Sequence, residues 1–221
     1  MRNNNSWIKD LKYIIWDLDG TLYEITDELF SRIRFNVYQM VANLKDISLN
    51  EAESIYQNLY ERLHSNTLVL ESLGINVVDS EKMFNETQLT SIQADEKLVE
   101  QLSQLNSFEH IICTNAPLKY SLMKLEKIGF SLSFFKKIIS APDETGELKP
   151  SIAPYQYLLD FTQVSPQEHL FVGDRYETDL ATAKEIGMHT ALVYDQDERA
   201  DFAFPSVHDL ANFLLQAVAG G

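Results

Sequence analysis

The hydrophobic pattern of this chain changes character twice. Tyr13 to Trp16 is an unbroken apolar and aromatic run that stops at Asp17, with Gly20 close behind to allow a sharp turn. Such a run predicts a short strand buried on both faces of a parallel sheet. Beyond Tyr23 the spacing becomes helical. Leu29, Phe30, Ile33, Val37, Met40, Val41 and Leu44 share one broad face, with Asp27 placed as its N-cap. Ser48 precedes Glu51 by three residues, the signature of a capping box, and opens a helix expected to bury Ala52, Ile55, Tyr56, Leu59 and Leu63. A third helix is expected over His64–Leu73, closed by Gly74, and a fourth over Ser80–Leu89. The aromatic stripe of Phe30, Phe35, Tyr38, Tyr56 and Tyr60 is expected to form the core of this bundle.

After residue 92 strands and helices alternate. Strands are expected at His110–Cys113, Lys137–Ser140, His169–Val172 and His189–Val193. Helices are expected at Asp95–Leu105, Leu118–Ile128, Ala153–Phe161, Thr178–Ile186 and Val207–Ala217, with Ala141–Lys149 as a polar loop. This rhythm implies an α/β fold, a Rossmann-like parallel sheet core flanked by helices. The core comprises 1–22 and 93–221, and 23–92 is an inserted all-helical domain. Ligands of open α/β sheets lie at the carboxyl ends of the strands, so function is expected there.

Composition narrows the function classes. Of the 221 residues, 45% are hydrophobic and 23% charged, which is ordinary for a globular protein, but the formal net charge is −15. Such a surface repels polyanions, so neither nucleic acid nor an anionic membrane is an expected partner. A small anion is still admissible where a metal and a lysine reverse the sign locally. Cys113, the only cysteine, falls in the apolar run IIC and is expected to be a core residue. With no intrachain disulfide possible, no long apolar stretch and no signal-like start, the expectation is a cytoplasmic protein; monomer and homodimer are both left open.

The strand ends and one loop carry Asp17 and Asp19, Thr114 and Asn115, Lys149, and Asp174 with Asp179. Phosphoryl transfer needs that inventory: a carboxylate to attack phosphorus, oxygen ligands for a hard cation, donors for the equatorial oxygens, and an acid for the leaving alkoxide.

In order, these residues resemble the four motifs of the haloacid dehalogenase-like superfamily. Asp17-Leu18-Asp19-Gly20-Thr21 is similar to its first motif and Thr114 in ICTNA to its second. Lys149 in ELKPS resembles the third, and Gly173-Asp174-Arg175-Tyr176-Glu177-Thr178-Asp179 the acidic fourth. The resemblance implies that Asp17 is the nucleophile and that Asp19 is acid, then base. It implies Mg²⁺ held by the Asp17 carboxylate, the Asp19 carbonyl and Asp174, with Asp179 orienting Lys149 from behind. Leu18, Asp19, Thr114, Asn115 and Lys149 would contact the phosphate. Because halide leaves without a proton, the acid at position 19 favours phosphate esters over a dehalogenase reaction. The helical insertion resembles a cap domain that closes over small soluble substrates.

WDLDGTLY followed by such a cap is most similar to the pyrimidine 5'-nucleotidase subgroup, although Gly20 stands in place of Asn and Ser65-Asn66-Thr67-Leu68 in place of GTTL. A phosphatase of nucleoside monophosphates, sugar phosphates or phosphoglycolate is expected. Tyr23, His64, Asn66 and Thr67 are candidates for reading the leaving group. A phosphomutase built from the same parts, or a non-catalytic binding protein on this fold, are the alternatives.

Overall fold

The computed structural model describes residues 5–63, 69–70, 72–75 and 77–219. Among these, six strands form one parallel sheet: β1 Tyr13–Trp16, β2 Glu109–Thr114, β3 Lys137–Ser140, β4 His169–Gly173, β5 His189–Val193 and β6 Phe202–Phe204. Their order is β3-β2-β1-β4-β5-β6, with every pairing parallel. The winding reverses at β1, which lies between β2 and β4. Ile15 therefore aligns with Ile111 on one side and Phe171 on the other. A sheet that reverses its winding opens a crevice at the carboxyl ends of the strands flanking the reversal. Here those ends are Asp17, Thr114 and Gly173–Asp174.

Strands covered on both faces read as continuous apolar runs because both side-chain sets must leave water. Ile15, Ile111, Cys113, Ile139 and Phe171 are fully buried on one face, packed with Tyr155, Leu158 and Leu180. Burial pushes the Cys113 thiol up to about 12, so it is an inert core group. On the other face Trp16 is buried and its indole N–H donates to His110 Nδ1 at 3.0 Å, while His110 Nε2 faces the Leu105 carbonyl at 3.3 Å. That arrangement fixes a neutral ring with its proton on Nε2, and burial lowers the imidazole to about 4.

The chain divides into two compact units, Met1–Glu24 with Gln93–Gly221, and Ile25–Ile92. In the second unit Asp27–Lys45, Leu49–Leu63 and Val77–Ser91 are helices. Val37, Val41, Ala52, Tyr56, Val69, Leu70 and Ile75 pack together as its core. The expected capping box is present: Ser48 Oγ accepts from Glu51 N at 3.3 Å, and Glu51 Oε2 accepts from Ser48 N at 3.0 Å.

Several expectations are corrected. Thr26, not Asp27, caps the first helix: its hydroxyl accepts from Leu29 N, and Asp27 sits in the first turn, where its negative charge complements the positive end of the helix dipole. Phe30 and Phe35 are exposed, at 37% and 49%, because the buried stripe of that helix follows Leu29, Ile33, Val37 and Val41 instead. The polar segment after β3 is not all loop, since Ala141–Thr145 forms a short helix with Pro142 in its first turn. Strand β6 is an edge strand too short to leave a periodic signal. Finally, the expected helix over Thr178–Ile186 is a π-helical turn, Tyr176–Leu180, running into a short α-helix, Ala181–Glu185. Among the described residues no helix is long and apolar enough to cross a membrane.

Candidate active site

Asp17 follows β1 directly, its amide still donating to Val172 O at 2.9 Å, so the sheet itself positions the residue. Its side chain is almost entirely buried, at 5% exposure. Asp17 Oδ1 accepts from Lys149 Nζ at 2.7 Å, and Oδ2 from Thr21 Oγ1 at 3.2 Å. Thr21 comes back to Asp17 because the chain turns at once, with Thr21 N and Leu22 N both donating to Leu18 O.

Lys149 is the cation of this cluster. No part of its side chain is exposed, and Nζ also donates to Asp179 Oδ1 at 2.8 Å and lies 5.4 Å from the Phe171 ring centroid. Burial opposes the ammonium, but the flanking Asp17 and Asp179 carboxylates override it and hold Lys149 protonated well above its ordinary range. The loop that carries Lys149 is tied to the end of β2. Asn115 Oδ1 accepts from Lys149 N at 2.7 Å, and Asn115 Nδ2 donates to Lys149 O at 3.0 Å. Thr114 is buried, and its Oγ1 accepts from Ala116 N at 3.1 Å, shaping the turn after β2.

Asp174 and Asp179 enter from the end of β4. Asp179 is 1% exposed, and both its oxygens are occupied, Oδ1 by Lys149 and Oδ2 by the Arg175 amide at 3.2 Å. A side chain at position 173 would lie 2.4 Å from Asp179 Cβ, so Gly173 is what allows Asp179 to fold back toward Lys149. Asp174 differs, since its Oδ1 is buried with no hydrogen-bond partner and the Arg175 guanidinium comes only to 3.9 Å. Gly20, at φ +89°, leaves room for it: a Cβ there would sit 2.3 Å from Asp174 Oδ2.

Ligand oxygens of Asp17, Asp174 and Asp179 lie within 4.8 Å of one another. Burial raises Asp17 to about 6 even against the pull of Lys149. Burial, reinforced by Asp17 and Asp179, raises Asp174 to about 8. A buried carboxylate oxygen with no donor, beside two further carboxylates, could hold a hard cation. Asp17 and Asp174 fit that role, whereas Asp179 is already bound to Lys149 on one oxygen and to a backbone amide on the other.

Asp19 points elsewhere. Its Oδ1 accepts from Lys124 Nζ at 2.6 Å and from the Tyr23 hydroxyl. Thus Asp17 and Asp19, two residues apart, have separate hydrogen-bonding partners. The Tyr23 hydroxyl, a candidate for meeting the leaving group, is engaged with Asp19. His64, Asn66 and Thr67 lie outside the described residues. Lys124 was not among the sequence candidates. Its signal was a charged residue on the buried stripe Ser121–Lys124–Leu125–Ile128 of the helix Leu118–Ile128.

A sequence model of the haloacid dehalogenase-like hydrolases matches residues 14–193, which contain all of these positions. A glyceraldehyde 3-phosphate phosphatase of Methanocaldococcus jannaschii is 26% identical over 92% of this chain and 97% of its own. A ribulose-1,5-bisphosphate 5-phosphatase of Halopiger xanaduensis is 32% identical over 41% of this chain and 36% of its own. Among solved structures, a phosphatase of the same superfamily from Thermococcus onnurineus superposes with a TM-score of 0.67 at 22% identity, covering 92% of this chain and 98% of that one. With the family's pattern matched over most of its length and the motif residues gathered at one sheet edge, the chain belongs to the haloacid dehalogenase-like hydrolases.

Proposed function

We propose that the protein is a Mg²⁺-dependent phosphatase acting on a small phosphomonoester through an aspartyl-phosphate on Asp17. The observation that carries this reading is the separation of the two carboxylates after β1. Asp17 is buried against Lys149, and Asp19 is held by Lys124 and Tyr23. Separate partners support separate tasks, Asp17 bonding phosphorus and Asp19 moving a proton. Asp17 attacks phosphorus while Asp19 gives its proton to the departing alkoxide oxygen. Asp19 then takes a proton from the water that attacks the same phosphorus, which releases phosphate and restores Asp17. Lys149 offsets the charge on nucleophile and phosphoryl group, and Thr114 and Asn115, at the end of β2, would bind the equatorial oxygens. Asp17, Asp174 and the Asp19 carbonyl would hold Mg²⁺. When bound, the cation would supply positive charge to offset that of the phosphoryl oxygens.

Of the three expected substrate classes we favour sugar phosphates, because both relatives above are named for one. A phosphate-release assay over nucleoside monophosphates, sugar phosphates and phosphoglycolate, with Mg²⁺ or with chelator, tests this. Release only with Mg²⁺, and highest kcat/KM among the sugar phosphates, is expected. Absence of phosphate from every substrate, or an isomerised sugar phosphate in its place, overturns the reading.

The acidic cluster also sets a pH dependence. The folded-state values of Asp17 and Asp174 are raised above the ordinary carboxylate range near 4, to about 6 and about 8. The metal-free folded protein therefore binds more protons than the unfolded chain over this interval. The stability contributed by these two groups is fully present below about 4 and is lost as pH rises through about 6 and about 8. Asp17 and Asp174 would exchange those protons for Mg²⁺. In thermal melts, chelated protein is expected to lose Tm between pH 5 and pH 8, and saturating Mg²⁺ to restore about 5–10 °C at pH 8 but little at pH 5. An equal Mg²⁺ effect at both values would contradict the assignment of Asp17 and Asp174 as ligands.

A further inference from the structure

We infer that Lys124 is a positioning residue for proton transfer, acting with Tyr23 to fix Asp19 by one oxygen and leave the other to carry the proton. This rests on the acid–base role proposed for Asp19. Two donors, Lys124 Nζ at 2.6 Å and the Tyr23 hydroxyl, converge on the same oxygen, Oδ1. Among the described residues no donor reaches Oδ2, and the Asp19 side chain keeps 21% of its surface exposed. An ammonium has three donors and no acceptor, so a proton on Oδ1 would face Lys124 with nothing to receive it. The Tyr23 hydroxyl donates to that same oxygen, so a proton there would meet two donors. The exchangeable proton of Asp19 is thereby confined to Oδ2, the oxygen that is not held.

The two anchors come from different parts of the fold. Tyr23 is brought to Asp19 by the turn after β1, where an isolated bridge joins the two residues. Lys124 arrives from the second turn of the helix that follows β2, 105 positions along the chain. Its side chain is fully buried. A lysine is almost never fully buried unless it is paired, and here it is paired with the one carboxylate whose orientation a proton relay requires.

The proton in question leaves Asp19 Oδ2 for the ester oxygen as the P–O bond breaks and the Asp17–phosphorus bond forms. It is regained from water as the Asp17–phosphorus bond is hydrolysed. A substrate whose leaving group needs no proton separates these steps. With p-nitrophenyl phosphate the first step releases a stable phenolate without an acid, whereas an alkyl ester such as glycerol 3-phosphate needs the acid.

The test compares Lys124→Met, Tyr23→Phe and Asp19→Asn with wild type, using glycerol 3-phosphate at steady state and p-nitrophenyl phosphate under rapid mixing with Mg²⁺. Lys124→Met is expected to lower kcat for the alkyl ester about 10²-fold with KM changed less than about threefold, while the p-nitrophenolate burst keeps its rate within about threefold and later turnover slows. Tyr23→Phe, which removes one donor and little volume, is expected to show the same split about tenfold more weakly, and serves if Lys124→Met does not fold. Equal loss on both substrates, a change in KM alone, or unchanged alkyl-ester turnover in a folded variant overturns the inference. Should wild type release no phosphate, the proposed function fails first. Should Asp19→Asn show the split and neither Lys124→Met nor Tyr23→Phe do so, this inference fails alone.

Discussion

Asp17→Asn is expected to reduce Mg²⁺-dependent phosphate release by on the order of 10⁴-fold or more, with the fold intact. The substitution preserves volume in a side chain that is 5% exposed, so packing against β4 and Thr21 is retained. What it removes is the anionic oxygen that would bond to phosphorus, since an amide is not a competent nucleophile. Lys149 keeps its second partner, Asp179 at 2.8 Å, so no buried ammonium is stranded. Removing a carboxylate that burial raises to about 6 also relieves a charge the interior disfavours, so the Tm is expected to fall by only a few degrees or to rise. Acid quenching during turnover of a ³²P-labelled ester should trap labelled wild-type protein that hydroxylamine strips, and no label on Asp17→Asn. Undiminished turnover by the variant would sink the covalent mechanism, and label on the variant would place the nucleophile elsewhere.

The fold was legible where burial is two-sided and ends abruptly. The runs ending at Trp16, Cys113 and Val172 are apolar because both strand faces are covered, and each stops within a residue or two of the strand end, at Asp17, Thr114 and Gly173. That is why the chain positions of the strand-end candidates could be read without coordinates. Less was legible where a signal is local and two residues compete for it. Thr26 and Asp27 are both good caps, and only the backbone geometry decides that Thr26 receives the Leu29 amide. The expected stripe on Asp27–Lys45 is too wide, with Phe30, Phe35 and Leu44 exposed, because the helix offers two apolar arcs and tertiary packing selects one. Strand β6 has three residues and no buried run, so it has no periodicity to read.

The candidate site was legible as a set of chain positions, not as a set of partnerships. Which carboxylate Lys149 neutralises depends on the return of the loop after β3, and Asn115 achieves that with two side-chain bonds to the Lys149 backbone. Sequence alone points to the backbone amide of Asn115, yet its carboxamide is what ties two loops together. Lys124 was readable in principle, because a lysine on the stripe of Ser121, Leu125 and Ile128 must find an anion inside. Its partner, 105 residues earlier, could not be named before the sheet order placed the helix after β2 beside the turn after β1.

Lys149→Met should be costly in two separable ways. The substitution removes the ammonium between Asp17 at 2.7 Å and Asp179 at 2.8 Å and leaves two buried carboxylates with no cation. Deleting one partner of a buried ion pair destabilises by about 3–5 kcal/mol, which for a chain of this size lowers Tm by roughly 10 °C. The loss should be smaller at pH 5 than at pH 8, because protonation neutralises the stranded carboxylates at the lower value. Phosphate release should fall about 10²–10³-fold through lost charge stabilisation of the phosphoryl group. The second substitution separates the effects. In Lys149→Met/Asp179→Asn one of the two uncompensated charges is gone, so a large part of the Tm returns while turnover stays low. Lys149→Arg should not rescue turnover, since a planar guanidinium cannot occupy a fully enclosed site shaped for a tetrahedral ammonium. Calorimetry and steady-state kinetics on the three variants decide the matter. If the double variant melts no higher than Lys149→Met, Asp179 is not the counter-charge that makes the buried lysine possible. If it regains activity, Lys149 acts through the fold alone and not on the phosphoryl group.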